Sequence, residues 1–421
     1  MRPLKFAFIG LGQGAAGTVP ALAQMPEVEL VAGCDLNPAM RKGFTDRYPG
    51  TKGYASIEDL CRDKEVEAVW VATPNRFHCE HAIAAMRAGK HVIVEKPMAI
   101  SLEEANRMVE VQEKEGVVLL AGHTRSLSIW NRAMRRIIVS GALGPVRAIH
   151  IWAYTDWMIR PRTADELDPN QGGGIVFRQG PHQIDTLRLL GGGMLRSVRG
   201  MTGRWLEARP VPGYFTAYME FEDGTVGTIM HNGYGYFIMG SLYPWVVEKR
   251  DYDDRKRADL RRQLVTGGRN EDEEKSEFRV GGKNDPAATA ATYAAVPYPW
   301  KPFDLGPVEV ACERGIMRPA QWGLFIGDDD GGREVDLRYL QRPENDPSGG
   351  LSLAIVEELH RAVVGGKPAF HTAQWGRATL EAVLAVIESA HEHKEIALKY
   401  QVPMPDDYDA ELPIGELVGA K

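Results

Sequence analysis

Four cysteines in 421 residues are too few and too scattered to staple a fold. Cys34, Cys61, Cys79 and Cys312 form no CxxC pair and no zinc-ligand spacing, which points to free thiols in a reducing compartment and to no bound metal. No apolar run approaches the ~20 residues a membrane helix needs. The first hydrophobic run, Leu4 to Ile9, is too short for a secretory signal and opens directly into a glycine loop, so a cytoplasmic location is expected. An excess of positive charge is missing as well: a formal net charge of -7 argues against broad nucleic-acid binding, although a few arginines can still make one cleft positive. No internal repeat is visible, and no heptad run long enough for a coiled coil. What remains is an ordinary globular composition, 44% hydrophobic and 25% charged, in a chain longer than one core usually organises.

The apolar pattern divides the chain in two. Up to about Gly122, short runs rich in apolar and β-branched residues (Phe6–Ile9, Glu29–Ala32, Ala68–Val71, His91–Val94, Val117–Leu120) alternate with helical patterns such as His78–Ala88 and Leu102–Glu115. Continuous apolar strands separated by helices predict a doubly wound parallel sheet with its ligand at the strands' carboxyl ends. Later strand-like segments follow one another, among them Val146–Tyr154, Phe215–Phe221 and Val226–Met230, and Asp223-Gly224 predicts a hairpin between the last two. The expected fold is therefore α/β: a Rossmann domain over 1–124, then an α+β substrate and oligomerisation domain over 125–421 with a large, mostly antiparallel open sheet. A charged insertion occupies about 244–302, with a solvated helix and loop over Tyr252–Lys283 and irregular chain over Pro286–Pro302. Helical patterns at Leu351–Val364 and Thr372–His391 close the chain.

A cofactor site can be read from the first strand. Gly10-Leu11-Gly12-Gln13-Gly14-Ala15 is a G-x-G-x-x-A turn. Gly10 permits the tight turn, Gly12 a close approach of backbone to pyrophosphate, and Ala15 the packing of the next helix, whose N-terminus faces the phosphates. The second strand ends on Asp35, placed to accept hydrogen bonds from a ribose and to repel a 2′-phosphate, so NAD is expected rather than NADP. A bare βαβ unit without cofactor is the competing reading. Thr73, Pro74 and Asn75, with His78 just beyond, should border the nicotinamide side, as should Glu95, Lys96 and Pro97, where the proline marks a shaped turn. A lysine there can act as an acid-base group; the bland alternative is a solvent-facing Lys96 paired with Glu95.

Together with Gly172-Gly173-Gly174 and the block Gly180-Pro181-His182-Gln183-Ile184-Asp185, these motifs resemble the Gfo/Idh/MocA oxidoreductases, the glucose-fructose oxidoreductase and inositol dehydrogenase family. The resemblance covers nearly the whole chain. It implies hydride transfer between NAD(P) and a hydroxyl-bearing carbon, with the catalytic lysine at Lys96 and the catalytic histidine at His182. Many family members carry an aspartate four residues before that histidine, where this chain has Arg178. A guanidinium in that place suits a carboxylate better than a neutral polyol. A narrower similarity, to the phthalate 4,5-cis-dihydrodiol dehydrogenase branch, runs through Tyr154–Arg162, Glu166–Asp168, Gln171–Gly174, Pro181–Asp185, Leu189–Gly193 and Ala311–Gly315.

The resulting expectation is a small-molecule dehydrogenase. A cis-dihydrodiol dicarboxylate is oxidised with Lys96 or His182 as base, while Arg160, Arg162 and Arg178 clamp its carboxylates and Tyr154 and Asp185 line the pocket. Against the clamp, Arg160 and Arg162 flank Pro161 and can simply bridge to Asp165 or Glu166 in an exposed loop. Asp185 falls three residues after His182, on the same helical face. His78 and His123 carry structural or cofactor-adjacent roles at most, and Trp152, Tyr154 and Trp157 read as core or pocket wall. A sugar or inositol dehydrogenase, a non-catalytic NAD-sensing regulator and a purely structural protein are the other readings. A homo-oligomer, dimer or tetramer, built through the C-terminal sheet is expected, with neither nucleic acid nor membrane as partner.

Overall fold

The computed structural model describes residues 1–245, 253–277, 279–280, 299–301, 305–341 and 351–412. Strands β1 (Leu4–Ile9), β2 (Val28–Cys34), β3 (Lys52–Tyr54), β4 (Ala68–Val71), β5 (His91–Glu95) and β6 (Leu119–Gly122) make a parallel sheet in the order β3-β2-β1-β4-β5-β6. Helices α1 (Gln13–Leu22), α2 (Pro38–Arg47), α3 (Ile57–Arg62), α4 (His78–Arg87) and α5 (Leu102–Glu115) connect them. The unbroken apolarity of β1 has a direct cause. Leu4, Phe6 and Phe8 enter one hydrophobic core while Ala7 and Ile9 enter another, so both faces of the sheet are covered. Each fully buried phenylalanine contributes on the order of 1.5–3 kcal/mol. The strand order reverses between β1 and β4, which opens a crevice at their carboxyl ends.

After α6 (Ile129–Ser140) comes a nine-stranded sheet built from β7 (Val146–Tyr154), β8 (Leu195–Gly203), β9 (Tyr214–Phe221), β10 (Val226–Asn232), β11 (Val308–Cys312), β12 (Gly315–Pro319), β13 (Gly323–Asp328), β14 (Gly331–Asp336) and β15 (Ile396–Ala397). Its order is β14-β13-β12-β11-β7-β10-β9-β8-β15. The β9–β10 hairpin turns at Gly224, whose φ is +83°. Among the described pairings of this sheet, β7–β10 alone is parallel, a feature the alternation pattern does not announce. One face is covered by α7 (Ile175–Leu190) and the C-terminal α11 (Ala373–Glu392).

The C-terminal helices do more than finish the second domain. Helix α10 (Leu351–Val363) packs on α1, β5 and β6, and α11 touches α5 and β6 as well as α7 and β8. Leu353, Ile355, Val356, Leu359 and Trp375 share a core with Phe6 and Phe8. A sequence division at 124/125 therefore leaves part of the first sheet's cover at the far end of the chain. The charged insertion holds two described helices, α8 (Asp254–Thr266) and α9 (Glu271–Ser276), where the sequence predicted one helix and a loop. Most of the irregular chain expected over 286–302 lies outside the described residues. No described helix is long and apolar enough to cross a membrane.

Candidate active site

The glycine turn leaves β1 with Gly10 at φ +93°, and a Cβ there would sit 2.7 Å from the Ala72 carbonyl oxygen. Gly12 precedes α1 with no side-chain cap and open space where a Cβ would lie. Gln13 and Gly14 are exposed and Ala15 is buried. Uncapped amide groups behind a bare glycine fit the pyrophosphate of a dinucleotide. Asp35 receives the Leu11 amide at 2.9 Å and the Asn37 amide at 2.8 Å, so it braces the turn as well as facing the expected ribose site. Leu36, 88% exposed, offers an apolar surface beside it.

Across the crevice, Lys96 follows β5 and its Nζ donates to the Arg178 carbonyl at 3.1 Å. Arg178 lies one helical turn before His182 on α7. The ammonium is thus carried to the helix that bears the imidazole rather than directed into solvent. His182 is 7% exposed. Burial, followed by the charges of Lys96, Arg125, His123 and His231, holds its pKa well below that of free histidine, so the ring is neutral at neutral pH. Its Nδ1 is buried without a hydrogen-bond partner among the described residues. The Lys96–Pro97 peptide is cis. Glu95 accepts from the Trp70 indole and the Lys96 amide, both at 3.3 Å, and desolvation raises its pKa despite the nearby Lys96.

Three arginines were expected to form a clamp, and each of them meets a carboxylate of this chain. Arg160 is exposed and paired with Asp156 one turn earlier. Arg162 lies over the Trp157 ring at 4.0 Å and donates to the Trp157 carbonyl and to Glu166, which is the structural alternative for that residue. Arg178 reaches the Asn75 amide oxygen at 3.3 Å, with Asp165 and Glu166 at 3.4 and 3.5 Å. Burial alone would raise Glu166, but Arg162, Arg178 and Lys275 outweigh it and bring its pKa to about 2.

Other expected residues take different places. Asn75 donates to the Gly172 carbonyl at 2.9 Å and so joins the cofactor loop to the glycine run. Gly172 is needed there because a Cβ would meet Ile100 at 2.6 Å. Thr73 Oγ1 lies 3.0 Å from His81 Nδ1, and Pro74 precedes the Asn75 turn. His78 is not a cofactor contact: it is 1% exposed and wedged between the Pro97 and Thr73 carbonyls at 2.8 and 2.7 Å, locking the two nicotinamide-side loops together. Tyr154 alternates with buried Ile151 and Ala153, so strand parity turns it to the face of the sheet opposite α7, against Phe237. It does not line the site. Asp185 is also displaced from its expected role, because it accepts from the Trp375 indole at 2.6 Å and the Thr379 hydroxyl at 3.3 Å. Helix α11, remote in sequence, supplies those partners.

The structure places His123 close to Lys96, as a buried residue at 2% exposure. Gly122 pairs in register with Glu95, so His123 and Lys96 emerge side by side at neighbouring strand ends; the strand-end position was the available signal. His231 was missed. It is fully buried on β10 and meets Thr155 at 3.1 Å and Gln183 at 3.3 Å.

This arrangement has close counterparts. Residues 4–123 match the model of an oxidoreductase family with an NAD-binding Rossmann fold, and residues 131–235 match the C-terminal domain model of the same family. A 1-carboxy-3-chloro-3,4-dihydroxycyclohexa-1,5-diene dehydrogenase from Comamonas testosteroni is 30% identical over 91% of this chain and 94% of its own. A solved protein from Bordetella bronchiseptica RB50, provisionally assigned as a dehydrogenase, is 32% identical and superposes with a TM-score of 0.82 over 94% of this chain and all of that one. Levoglucosan dehydrogenase bound to NADH and levoglucosan shares the fold at a TM-score of 0.70 and 18% identity, over 94% of this chain and 99% of its own. The glycine turn, the lysine after β5 and the histidine of α7 thus sit in the two domains of a known enzyme class: the chain belongs to the Gfo/Idh/MocA family of NAD-dependent oxidoreductases.

Proposed function

We propose that this dehydrogenase oxidises a ring-hydroxylated cyclohexadiene acid, a cis-dihydrodiol of the phthalate type, to the corresponding catechol acid. The observation that carries this reading is the position of Arg178. Its guanidinium, one turn before His182, donates to Asn75 in the loop after β4, while its backbone carbonyl accepts from the Lys96 ammonium. The local charge favours an acid: Arg162, Arg178 and Lys275 surround Asp165 and Glu166, three cations to two carboxylates. The name of the Comamonas testosteroni relative also describes a carboxylated dihydroxycyclohexadiene. When bound, NAD supplies the acceptor for the hydrogen leaving the alcohol carbon. The hydroxyl proton passes to a single base, the Lys96 side chain in its neutral amine form or the His182 imidazole, and Arg178 orients the acid so that the reacting carbon faces the cofactor. Loss of the second ring hydrogen restores aromaticity and draws the oxidation forward.

The test is NAD reduction with phthalate 4,5-cis-dihydrodiol, its monocarboxylate analogues and neutral polyols including inositol. We expect turnover of the acids, and Arg178→Ala should raise KM for them by ~10- to 100-fold, the loss of a charge-assisted pair. Turnover of polyols but not acids refutes the assignment. The sheet face away from α7 carries Trp152, Met230 and Met201 in one row and Tyr218 in the next; Trp152, Met201 and Tyr218 are 37, 43 and 44% exposed. A second copy of the chain is the proposed cover, and light scattering that finds a monomer at micromolar concentration overturns it.

A further inference from the structure

Strand β10 alternates, with Gly227, Ile229 and His231 on the face that α7 covers. His231 therefore stands, fully buried, where the alternation calls for an apolar side chain. Burying a polar ring costs free energy unless its nitrogens find partners, and both of them do. Nδ1 lies 3.3 Å from Gln183 Oε1, and Nε2 lies 3.1 Å from Thr155 Oγ1. The ring also stacks on Phe215 of β9, with centroids 5.9 Å apart.

These bonds run in one direction. The Gln183 amide nitrogen donates to the Met230 and Leu305 carbonyls at 3.4 and 3.2 Å, which turns its oxygen toward His231. An amide oxygen only accepts, so Nδ1 of His231 donates, and the neutral ring carries its proton there rather than on Nε2. Nε2 then accepts from the Thr155 hydroxyl, whose oxygen in turn accepts from the Trp157 amide at 3.4 Å.

The ends of this chain of bonds lie in the two segments that meet around Arg178. Gln183 follows His182 on α7. Pro181, inside the same helix, has no N–H to give the Phe177 carbonyl, so the helical ladder lacks a bond just where His182 sits. At Gly180 the helix comes down on β9, where a Cβ would meet the Phe215 ring at 3.8 Å. Thr155 opens the loop that brings Asp165 and Glu166 to Arg178 and that ends in Gly174 at the head of α7.

We propose that His231 is a positioning residue joining these two segments: its Nδ1 holds the α7 turn of His182, and its Nε2 holds the start of the loop that reaches Arg178. The proposal rests on the reading that His182 stands at the reacting hydroxyl. A leucine or isoleucine would fill the same space and tie neither segment.

Two substitutions take the joint apart, because an asparagine places its amide nitrogen near the position of Nδ1 and a glutamine its amide oxygen near that of Nε2. His231→Asn keeps the donor to Gln183 and loses Thr155, whereas His231→Gln keeps the acceptor for Thr155 and loses Gln183. In protein labelled with 15N in its imidazoles, with NAD bound, wild-type His231 should show the Nδ1–H tautomer. The His182 ring nitrogens should shift in His231→Gln relative to His231→Asn, two variants that both lack the aromatic ring. An Nε2–H or doubly protonated His231, or His182 resonances alike in the two variants, overturns the proposal whatever the substrate.

In turnover of phthalate 4,5-cis-dihydrodiol, His231→Gln should lower kcat about 10- to 100-fold with KM for the dihydrodiol kept. His231→Asn should raise that KM about 3- to 10-fold with kcat near wild type, the worth of one neutral hydrogen bond. Thr155→Val, of the same shape, should reproduce this second effect with the imidazole intact. A residue that only fills space would lower Tm in both His231 variants without the split, and that result overturns the proposal too. Full turnover by His182→Ala would instead sink the reading of His182. No turnover of the dihydrodiol by the wild type would sink the substrate reading, and the nitrogen resonances would still decide the part played by His231.

Discussion

Replacing Asp35 by asparagine separates the two tasks that the geometry gives this carboxylate. One oxygen accepts the Leu11 amide at 2.9 Å and the other the Asn37 amide at 2.8 Å. An asparagine can accept one of these and presents its NH2 to the other donor. The expected loss is roughly that of one hydrogen bond to a charged group, about 1.5–3 kcal/mol, or ~10- to 100-fold in NADH affinity if the turn must be restored on binding. The effect on NADPH differs. In the wild type its 2′-phosphate meets the carboxylate, and one pair of unit charges ~5 Å apart at an effective dielectric of 20 costs about 3 kcal/mol. The variant removes that repulsion, so the NADH-to-NADPH affinity ratio should fall by about two orders of magnitude, chiefly by sparing NADPH. Titrating tryptophan fluorescence with each cofactor, wild type against variant, reads both constants. An equal loss for the two cofactors would show that Asp35 only braces the glycine turn and does not discriminate.

Lys96→Ala should reduce turnover by about two orders of magnitude or more while NADH binding, measured by the same fluorescence titration, stays near wild type; unchanged turnover removes the ammonium from the reaction. Acid should destabilise the protein through His78 and His123, both buried neutral with pKa about 4. Because the unfolded rings take up protons first, this stability is complete above about pH 6.5 and declines toward pH 4, by about 2 kcal/mol for each ring at pH 5. His371 works against that trend: burial pushes its pKa down, but Glu358 outweighs burial and raises it. Urea unfolding at pH 7.5 and 5 measures the difference, and His123→Asn should remove about half of it. Glu271 pairs with Arg209, whose side chain is 2% exposed and which also holds the Met158 and Arg160 carbonyls. Glu271→Ala should cost about 2–3 kcal/mol, a fall of about 2–4 °C in Tm for a chain this long, and should raise KM for an acid substrate. An unchanged KM would show that α9 does not position the loop before Arg178.

The local sequence determined the parts of this protein whose physics is local. The glycine turn, Asp35 and the apolar runs of five of the first six strands are properties of neighbouring residues, and so is the lysine that follows the fifth strand; the short edge strand β3, Lys-Gly-Tyr, carries no such run. The conclusion of a dinucleotide crevice flanked by Lys96 and His182 was therefore legible from spacing and family resemblance. What tertiary structure decided was the direction of each side chain. Strand parity turned Tyr154 away from α7, and Trp375, nearly two hundred residues along, captured Asp185. Trp157 and Glu166 hold Arg162. The β5–β6 register placed His123 beside Lys96, and the C-terminal helices closed over a sheet formed at the other end of the chain. A side chain's partner depends on which elements pack against it, and spacing along one strand or helix does not carry that information.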